Sequence, residues 1–555
     1  MYKLFLIYIL FCIQNINAQE LRQPLDIPLL LSGNFGELRS NHFHSGLDFK
    51  TQGVTGKPVY AVMDGYVSRI SIGTWGFGYA LYLNHPNGTT TVYGHVQDFS
   101  PAIAQYARNK QYEQESFNLN VFPEPDEIPV KKGELIAYSG NRGSSGGPHL
   151  HFELRDTKTE ETIDAMKYFK NKITDNRPPK IHGILVCPMD GKGVVNGSNR
   201  KLALKPVTAN GKLSLSGKIE AWGEIGLAIR ANDYMDNTSN IYGVKDITLS
   251  LDGQVIYHSD LDRFAFDESR YINSYIDYQE LKDKRSTYMR SYVEPGNRLR
   301  FIKSVNRGIV NIDKEKTYLL TYHLSDVFGN STRLNIRITG KKQPVPEPET
   351  EQGELFNWST ENRFGASGIR LTVPKGNLYD DFYFNYSVIK NDSALADTHI
   401  VHDRPVPIHK AARLSLRILN DTLDNKKQYG IVRVRQGKRS WTGGSYRNGW
   451  IDADIREFGS YTVGQDTKAP TITPLNSNTW VSKRAIAFRL TDDLSGVDTY
   501  RGEIDGKYVL FEMDTRSVIT YKFDKERLKR GKHKLKLTVA DAAGNQADYT
   551  YSFNW

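Results

Sequence analysis

The chain has 555 residues and a formal net charge of +10, because 73 Lys and Arg residues oppose 63 Asp and Glu residues. This length exceeds what one hydrophobic core supports, so about four domains are expected. Two cysteines exclude a scaffold held by many disulfides, and a basic charge spread along the chain suits an anionic polymer such as a cell wall. Nucleic acid is not favoured, since no basic cluster interleaved with aromatic residues occurs.

The N-terminal segment MYKLFLIYILFCIQNINAQ predicts a secretory signal peptide cleaved after Ala18. Its apolar run, Leu4 to Ile13, is too short for a transmembrane helix, and no later segment is long and apolar enough to span a bilayer. A lipoprotein signal at Cys12 is not favoured, because the preceding residue is not small. Cleavage would leave Cys187 as the only cysteine, so no intramolecular disulfide is expected. We therefore expect a secreted protein of the periplasm or the extracellular cell envelope.

The first candidate site residues are His44 and Asp48, in HFHSGLDFKT. A His and a carboxylate four residues apart share one face of a strand or lie one turn apart on a helix. Gly46 between them favours a strand or a bent loop. A single His is more often a surface or core residue than a ligand, so this pair alone is weak evidence.

His95 follows in TTTVYGHVQ, after a hairpin turn at Asn87-Gly88 that joins two runs of alternating apolar residues. We expect His95 to lie on the second strand of this hairpin and to share a face with Thr91 and Tyr93.

His149 and His151 lie in GGPHLHFELRD, directly after a Gly-, Ser- and Pro-rich turn. Alternating polarity after the turn predicts a strand, and residues two apart on a strand point to the same face. Two imidazoles side by side suit a metal ligand next to a proton carrier.

Together these motifs supply five groups within the first third of the chain. Catalytic zinc typically takes three protein ligands from His and Asp or Glu and keeps one position for water, whose pKa it lowers to about 7. The two remaining groups could carry protons, since a neutral His accepts a proton and an imidazolium returns it to a leaving amine. Spacing alone does not say which histidine has which role.

Three segments, GNFGELRSNHFHSGLDFKTQGVTGKPVYAVMDGYV, YGHV and KKGELIAYSGNRGSSGGPHLHFEL, resemble the M23 family of zinc metallopeptidases, the lysostaphin and LytM type, over about residues 30–156. The resemblance implies that His44, Asp48 and His151 bind zinc and that His95 and His149 are the catalytic pair. All five positions are filled, so a degenerate member is not indicated. The implied reaction is hydrolysis of peptide cross-links in bacterial peptidoglycan.

The chain departs from the family in two places. Some members carry a Tyr shortly before the first zinc His, where this chain has Leu38 and Arg39; Arg39 either stabilises an oxyanion or is an ordinary surface residue. Residues 101–129 form an insertion, in which Ala102 to Gln114 predicts a helix and Phe122 to Pro125 an extended loop. This insertion either walls the groove and restricts which peptides enter or is a surface loop.

An internal repeat marks the C-terminal half. IRANDYMDNTSNIYGVKDITLSLDGQVIY, from Ile229, resembles FRLTDDLSGVDTYRGEIDGKYVLFEMD, from Phe488. Each copy contains an Asp-Gly hairpin turn and later a D-x-x-G-N turn, Asp326 to Asn330 and Asp541 to Asn545. This pattern resembles the immunoglobulin-like sandwiches of extracellular bacterial proteins.

The predicted fold class is mainly β: a LytM-type β-sheet peptidase domain followed by about three β-sandwich (immunoglobulin-like) domains. The predicted boundaries are a signal peptide at 1–18, the peptidase domain at 19–175 with the insertion 101–129, a sandwich at 176–342 with a Tyr-rich insertion at 266–300, a Pro- and Glu-rich linker at 343–352, a β-domain at 353–466 and a second immunoglobulin-like sandwich at 467–555.

Two aromatic features leave alternatives open. In the Tyr-rich insertion, Tyr and Leu recur at helical spacing, which predicts a helix that packs on its own sandwich, covers the groove as a flap or binds a polymer. The members of this stripe are Tyr271, Tyr275, Tyr278 and Leu281. In the 353–466 domain, aromatic residues among glycines either stack on sugars or peptides or belong to the core: Trp441, Tyr446 and Trp450.

The sequence therefore predicts a secreted zinc metalloendopeptidase that acts on peptidoglycan peptides, with Zn²⁺ as cofactor, no nucleic-acid partner, and β-domains available for contacts with the wall or with proteins. A wall-binding or hydrolase-activating protein, with a structural or autoinhibited zinc site, is the alternative. A structural site would be closed by four ligands, which counts against it. An adhesin whose β-domains carry the biology is a third candidate.

Overall fold

The computed structural model describes residues 21–209, 212–347, 353–391 and 393–555, and within them the chain is mainly β, as predicted. The predicted signal peptide and residues 348–352 of the predicted linker lie outside the described residues. No helix in the described ranges combines the length and apolar character needed to cross a membrane. The helices are short: α1 (Pro101–Glu113), α2 (Met166–Phe169), α3 (Ile272–Tyr275), α4 (Tyr278–Lys284) and α5 (Trp480–Lys483).

The N-terminal region is built on an antiparallel sheet with the order β1-β4-β13-β8-β7-β6-β10, beside a small sheet β5-β12-β9. Its strands are β1 (Leu31–Gly33), β2 (Leu38–Arg39), β3 (His42–Phe43), β4 (Leu47–Lys50), β5 (Pro58–Tyr60), β6 (Gly65–Ile72), β7 (Tyr79–Asn84), β8 (Thr89–Gly94), β9 (Asp98–Phe99), β10 (Leu119–Val121), β11 (Pro129–Val130), β12 (Leu135–Tyr138), β13 (His149–Asp156) and β14 (Thr162–Ile163). The strand β13 lies between β4 and β8, which places the HxH motif at the centre of this sheet.

The second region forms a sheet with the order β16-β15-β19-β27-β26-β20-β21-β24. Its strands are β15 (Lys180–Val195), β16 (Leu202–Leu204), β17 (Pro206–Ala209), β18 (Lys212–Leu215), β19 (Glu220–Asn232), β20 (Asp246–Leu251), β21 (Gln254–Asp260), β22 (Arg263–Phe264), β23 (Met289–Arg290), β24 (Ile302–Ser304), β25 (Val310–Ile312), β26 (Thr317–Ser325) and β27 (Ser331–Gly340). The sheet stays continuous because β19 pairs with both β15 and β27.

The third and fourth regions each contain two main sheets, β29-β30-β34-β38-β37 with β32-β33-β39-β35-β36, and β40-β41-β45-β44 with β43-β42-β46-β47. The third has β28 (Glu354–Phe356), β29 (Asn362–Ala366), β30 (Ile369–Val373), β31 (Phe382–Phe384), β32 (Tyr386–Ile389), β33 (Thr398–Val401), β34 (Ala412–Arg417), β35 (Tyr429–Arg435), β36 (Lys438–Gly443), β37 (Ser445–Arg447), β38 (Trp450–Ile455) and β39 (Gly459–Gln465). The fourth has β40 (Thr471–Pro474), β41 (Ala485–Thr491), β42 (Val497–Ile504), β43 (Lys507–Val509), β44 (Glu512–Met513), β45 (Val518–Lys522), β46 (Lys532–Asp541) and β47 (Gln546–Asn554).

The first two regions share one hydrophobic core. A single cluster of buried apolar residues runs from the N-terminal sheet into the second region. The strand β22 of the second region pairs with β14 of the first, and Phe264 on β22 is fully buried. Its ring lies 5.1 Å from that of Phe35 and 5.7 Å from that of Phe43. These two regions should therefore unfold together.

Substitution Phe264→Ala should lower the free energy of unfolding of this joint unit by about 3–5 kcal/mol, because it opens a cavity where aromatic rings from both regions meet. Denaturant unfolding, followed by probes in both regions, measures the change. The control Phe266→Ala, two residues away and 45% exposed, should have a much smaller effect. Separate transitions for the two regions, with only one of them shifted, would contradict a shared core.

The Tyr-rich insertion forms two short helices rather than one. Ile276 adopts an extended backbone that ends α3, and the Asp277 side chain then caps α4 by accepting a hydrogen bond from the Glu280 amide. The segment is wedged between regions: Ser269 Oγ accepts a hydrogen bond from the Phe43 amide, at 2.9 Å.

On its other side this insertion contacts the third region. The Tyr271 ring stacks on His409 at 4.1 Å, and Arg270 Nε donates to the Ile408 carbonyl at 3.1 Å. The insertion therefore joins three regions instead of packing only on its own sandwich.

The insertion at 101–129 contains the predicted helix, as α1, and this helix contacts the fourth region. The Tyr112 ring lies 5.8 Å from that of Tyr508, and the Arg527 guanidinium lies 3.7 Å above the Tyr112 ring. Glu115 forms an ion pair of 2.7 Å with Arg501. The insertion therefore packs on the fourth region. Neither alternative predicted from the sequence, a wall of the groove or a surface loop, included this contact.

The aromatic residues among glycines in the third region are half-buried rather than part of the core. The Trp441 ring packs directly over Gly430, where a Cβ atom would lie 2.4 Å from it. The Arg370 guanidinium lies 4.2 Å from the centre of the Trp450 ring, and the Tyr446 hydroxyl donates a hydrogen bond to the Asp421 carboxylate. Each of these three aromatic side chains therefore already contacts another residue of the third region.

Candidate metal centre

The strands β4, β13 and β8 bring the predicted metal ligands together. His151 on β13 is paired with Asp48 on β4 and with Gly94 on β8. His44 lies in the bend between β3 and β4. This bend requires Gly46, because a Cβ atom there would lie 2.3 Å from the Phe152 carbonyl oxygen.

Three side-chain atoms converge at this point. Asp48 Oδ1 lies 2.9 Å from His151 Nδ1 and 3.1 Å from His44 Nε2, and the two nitrogens are 3.2 Å apart. All three residues are buried, and their potential ligand atoms meet within one small volume. The structure thus brings together the trio for which the sequence predicted metal binding.

The surroundings of this trio fit a zinc ion. His44 Nδ1 donates to the Asn34 carbonyl at 2.7 Å, and His151 Nε2 is held by Glu153 Oε1 at 2.9 Å. Such outer partners fix the ring orientation and leave the other nitrogen free to bind a metal. Two imidazole nitrogens and a carboxylate oxygen are a donor set that zinc accepts readily.

The pKa values of Asp48 and His151 are set by their contacts with each other and with neighbouring groups. Burial works to raise the pKa of Asp48, but the neighbouring His44, His149 and His151 hold it well below its usual range. Burial works to lower the pKa of His151, but hydrogen bonds to Asp48 and Glu153 outweigh it and raise the pKa to about 9. His151 therefore bridges the carboxylates of Asp48 and Glu153.

Glu153 belongs to the site but is not among the residues predicted from the sequence. Its side chain is fully buried, and it bonds Arg155 Nη2 at 2.5 Å as well as His151. Burial works to raise its pKa, but Arg155 and His151 lower the pKa to about 2, so the carboxylate stays charged. The signal was present in the sequence, because His149, His151 and Glu153 alternate on one face of a strand.

Substitution Glu153→Gln should weaken zinc binding by about 10–100-fold, because it removes the charged partner that orients His151. Competition with a chromogenic chelator measures the affinity, and circular dichroism establishes that the variant is folded. The matched control is Glu160→Gln, whose side chain is 71% exposed. An unchanged zinc affinity in a folded Glu153→Gln variant would show that this carboxylate does not support the site.

The prediction that His95 continues the second hairpin strand is wrong. The strand β8 ends at Gly94, and His95 adopts a left-handed backbone with φ of 59°. Thr91 and Tyr93 point into the core and are fully buried, so a side chain in the same register would also be enclosed there. The His95 amide donates instead to the Phe77 carbonyl, at 2.9 Å, and the imidazole borders the groove.

His95 and His149 lie beside the trio with their rings 4.8 Å apart. In each, Nδ1 bonds a backbone carbonyl at 2.8 Å, that of Arg142 for His95 and that of Gly147 for His149. Because a carbonyl only accepts, Nδ1 carries the proton and Nε2 keeps a lone pair. Burial, together with the nearby His151 and His149, lowers the pKa of His95 to about 3.

Arg39 contacts the site through Asp48. Its Nη2 lies 3.2 Å from Asp48 Oδ2, the oxygen that does not face the two histidines, and its Nε lies 3.3 Å from Glu37. Arg39 therefore differs from an ordinary surface residue, although more than a third of its side chain is exposed.

The five site residues line an open cavity of about 490 Å³. All the residues that line it fall between Arg39 and His151, and they include His42, Phe77 and the Ser144–Gly146 turn. Within the described part of the chain, neither insertion contributes to this lining.

Two family models match the sequence. Residues 42–112 match the model described as peptidase family M23, and residues 353–466 match the model of a Zu5-like domain. The M23 match includes His44, Asp48 and His95.

Curated relatives match over a limited stretch. A DD-carboxypeptidase/endopeptidase Mpg of Neisseria meningitidis serogroup B is 31% identical over 118 residues, which cover 21% of this chain and 21% of that protein. An uncharacterized metalloprotease of Haemophilus influenzae is 34% identical over 111 residues, covering 20% of this chain and 18% of that protein. The chain thus spans about a fifth of the length of these relatives.

Solved structures are also similar to parts of the chain. The catalytic domain of the antimicrobial peptidase lysostaphin from Staphylococcus simulans is 23% identical, with 25% of this chain and 89% of that chain covered and a TM-score of 0.19. A zinc-containing peptidase from Vibrio cholerae is 26% identical, with 26% and 38% covered and a TM-score of 0.19.

Proposed function

We propose that the N-terminal domain, an M23 family peptidase domain, is a zinc metalloendopeptidase that hydrolyses peptide cross-links of bacterial peptidoglycan. The observation that carries this proposal is the meeting of two histidines and an aspartate within about 3 Å of one another, in an open cavity with two further histidines beside them. The DD-carboxypeptidase/endopeptidase relative supports the same class of substrate.

His44 Nε2, Asp48 Oδ1 and His151 Nδ1 would hold the zinc ion. When bound, zinc acts as a Lewis acid that polarises water and a substrate carbonyl. Asn34 and Glu153 keep the two ligating imidazoles in the required orientation. Such preset geometry avoids a rearrangement of the protein during the reaction.

His149 and His95 would move the proton. Their Nδ1 protons are fixed on backbone carbonyls, so Nε2 is the nitrogen available to substrate and water. His149 Nε2 lies 3.4 Å from Asp48 Oδ1 and is thus beside the ligand trio. A neutral imidazole there takes a proton from the attacking water and returns it to the departing amine. The Nε2 of the second imidazole also keeps a lone pair, so it accepts a hydrogen bond from the attacking water or from a substrate N–H.

The alternative with a structural zinc site is less well supported. Among the described residues, the group that could hold this metal has three members, whereas structural sites usually have four ligands. None of the described residues of the C-terminal regions lines the cavity, which counts against an autoinhibited site. Secretion to the cell envelope remains part of the proposal on sequence grounds.

Metal removal and restoration test this function. Purified full-length protein should release soluble fragments from isolated peptidoglycan, stop after chelation and recover with stoichiometric zinc. His149→Ala should be inactive in the same assay, and His323→Ala, a half-buried histidine of the second region, should behave as wild type. Equal release by the wild type and His149→Ala would contradict the proposal.

A further inference from the structure

Three aspartates meet at one point beside each repeat copy. At the first copy these are Asp175, Asp233 and Asp326, and at the second Asp466, Asp492 and Asp541. Within each trio, one carboxylate oxygen of each residue lies within 4.8 Å of those of the others. The members are far apart in sequence, so the fold assembles each trio.

The first two members of each trio occupy matching places. Asp175 and Asp466 each precede the first strand of the second or fourth region, β15 or β40, with a basic residue two positions later. Asp233 and Asp492 each come directly after a strand, β19 or β41, and three positions after an arginine.

The third member opens the D-x-x-G-N turn, and the Asn of that turn connects it to the first member. Asn330 Nδ2 donates to Asp326 Oδ2 at 2.8 Å and to the Asp175 carbonyl at 3.1 Å. Asn545 Nδ2 likewise donates to Asp541 Oδ2 and to the Asp466 carbonyl, at 2.8 and 3.0 Å. The same arrangement thus occurs twice in one chain.

Buried oxygens without a partner point into these clusters. Asp233 is 2% exposed and Asp175 is 7% exposed, yet Asp233 Oδ1 and Asp175 Oδ2 have no hydrogen-bond partner. In the second trio Asp492 Oδ1 also has no hydrogen-bond partner, and this atom is buried although the Asp492 side chain as a whole is half-buried. A buried carboxylate is costly unless it is paired or coordinates a metal.

The side chains of Arg177 and Lys468, two positions after the first member of each trio, form their hydrogen bonds and ion pair with other groups. The Arg177 guanidinium donates to the carbonyls of Met235 and Thr238, at 3.1 and 3.4 Å. The Lys468 ammonium pairs with Asp493 at 2.7 Å, which lies outside the second trio. Burial raises the pKa of Asp233 to about 8, so its unpaired oxygen takes either a proton or a cation from solution.

We propose that each aspartate trio binds one Ca²⁺ ion. Ca²⁺ takes six to eight oxygen ligands at about 2.3–2.6 Å, so two of its ligands lie at most about 5 Å apart, as in these trios. The trios contain only oxygen donors. Ca²⁺ prefers oxygen ligands, whereas zinc also takes nitrogen and sulfur ligands. Carbonyl oxygens and water complete such a shell.

These sites would stiffen the joints between regions. Asp233 pairs through its backbone with Tyr242, whose hydroxyl donates to the Leu31 carbonyl of the peptidase domain at 2.8 Å. Gln428 of the third region accepts from the Asp466 amide and donates to Asn545 Oδ1. One ion would thus secure the peptidase domain to the second region, and the other would secure the third region to the fourth.

Calcium titration of the full-length, zinc-loaded protein tests this proposal. Equilibrium dialysis with radioactive Ca²⁺ should give two ions per chain, one in each of Asp233→Asn and Asp492→Asn, and none in the double variant. Thermal unfolding should show a midpoint that rises with Ca²⁺ by about 5 °C or more in the wild type and does not respond in the double variant.

Controls separate this result from the zinc site and from surface charge. Asp190→Asn and Asp498→Asn remove exposed carboxylates and should retain two ions. His151→Ala should also retain two Ca²⁺ ions, so the result for calcium binding is independent of the result for peptidase activity. No bound Ca²⁺ at about 10 mM in folded wild type, above the affinity range of weak extracellular modules, would overturn the proposal. Two ions still bound in the folded double variant would also overturn it.

Discussion

His151→Ala should bind no stoichiometric zinc and should lose peptidase activity. His151 supplies one of three converging donor atoms, and it is the one that strand pairing fixes against both Asp48 and Gly94. Loss of an outer partner alone costs about 10–100-fold in affinity, so loss of a ligand should cost more than about 100-fold. Elemental analysis after dialysis, beside a turnover assay, measures both effects.

The fold of this variant needs its own check, because Glu153 would be left buried without its histidine partner. Circular dichroism and thermal unfolding provide it, with Glu153→Gln as a companion. A folded His151→Ala protein with one tightly bound zinc ion would show that the metal is held elsewhere.

His149→Ala should keep its zinc and lose turnover by about 10²–10⁴-fold, the usual range for a general acid or base. His149 lies beside the ligand trio, but its Nε2 is 3.4 Å from Asp48 Oδ1, and its Nδ1 is engaged by the Gly147 carbonyl. Its removal therefore leaves the three donor atoms in place. The loss should appear in kcat more than in KM, because proton transfer belongs to the transition state.

The comparison with His151→Ala makes this prediction decisive. If His149→Ala lost zinc to the same extent, His149 would be a ligand rather than a proton carrier. If it kept both zinc and full turnover, His149 would not be a proton carrier and the proposed mechanism would be wrong. His323→Ala serves as the control for any general effect of losing a histidine.

The sequence predicted much of the site because strand periodicity is a local property. The alternation of His149 and His151, and the turn at Asn87-Gly88, correctly indicated the strands that the structure contains. His44 and Asp48 were expected on a strand or bent loop, and the structure gives a bend followed by β4. The zinc and catalytic roles remain predictions from the family resemblance.

What the sequence could not supply depends on contacts between distant segments. The left-handed turn at His95 arises where its amide meets the Phe77 carbonyl, which local periodicity does not encode. The docking of α1 on the fourth region joins Tyr112 to Tyr508. No spacing rule predicts such a contact.

The aspartate trios illustrate the same limit. Their D-x-x-G-N turns were visible in the sequence as turns. Their grouping with Asp233 and Asp492 appeared only when the fold brought strand ends and linkers together.

Product analysis by mass spectrometry on defined cross-linked muropeptides tests the central claim most directly. Zinc-loaded wild-type protein should cut a cross-linked dimer within the cross-link. The masses of the two products should add up to the mass of the dimer plus one water. His149→Ala and chelated wild type should leave the dimer intact. An intact dimer after incubation with folded, zinc-loaded wild type would contradict the assignment of a peptidoglycan endopeptidase.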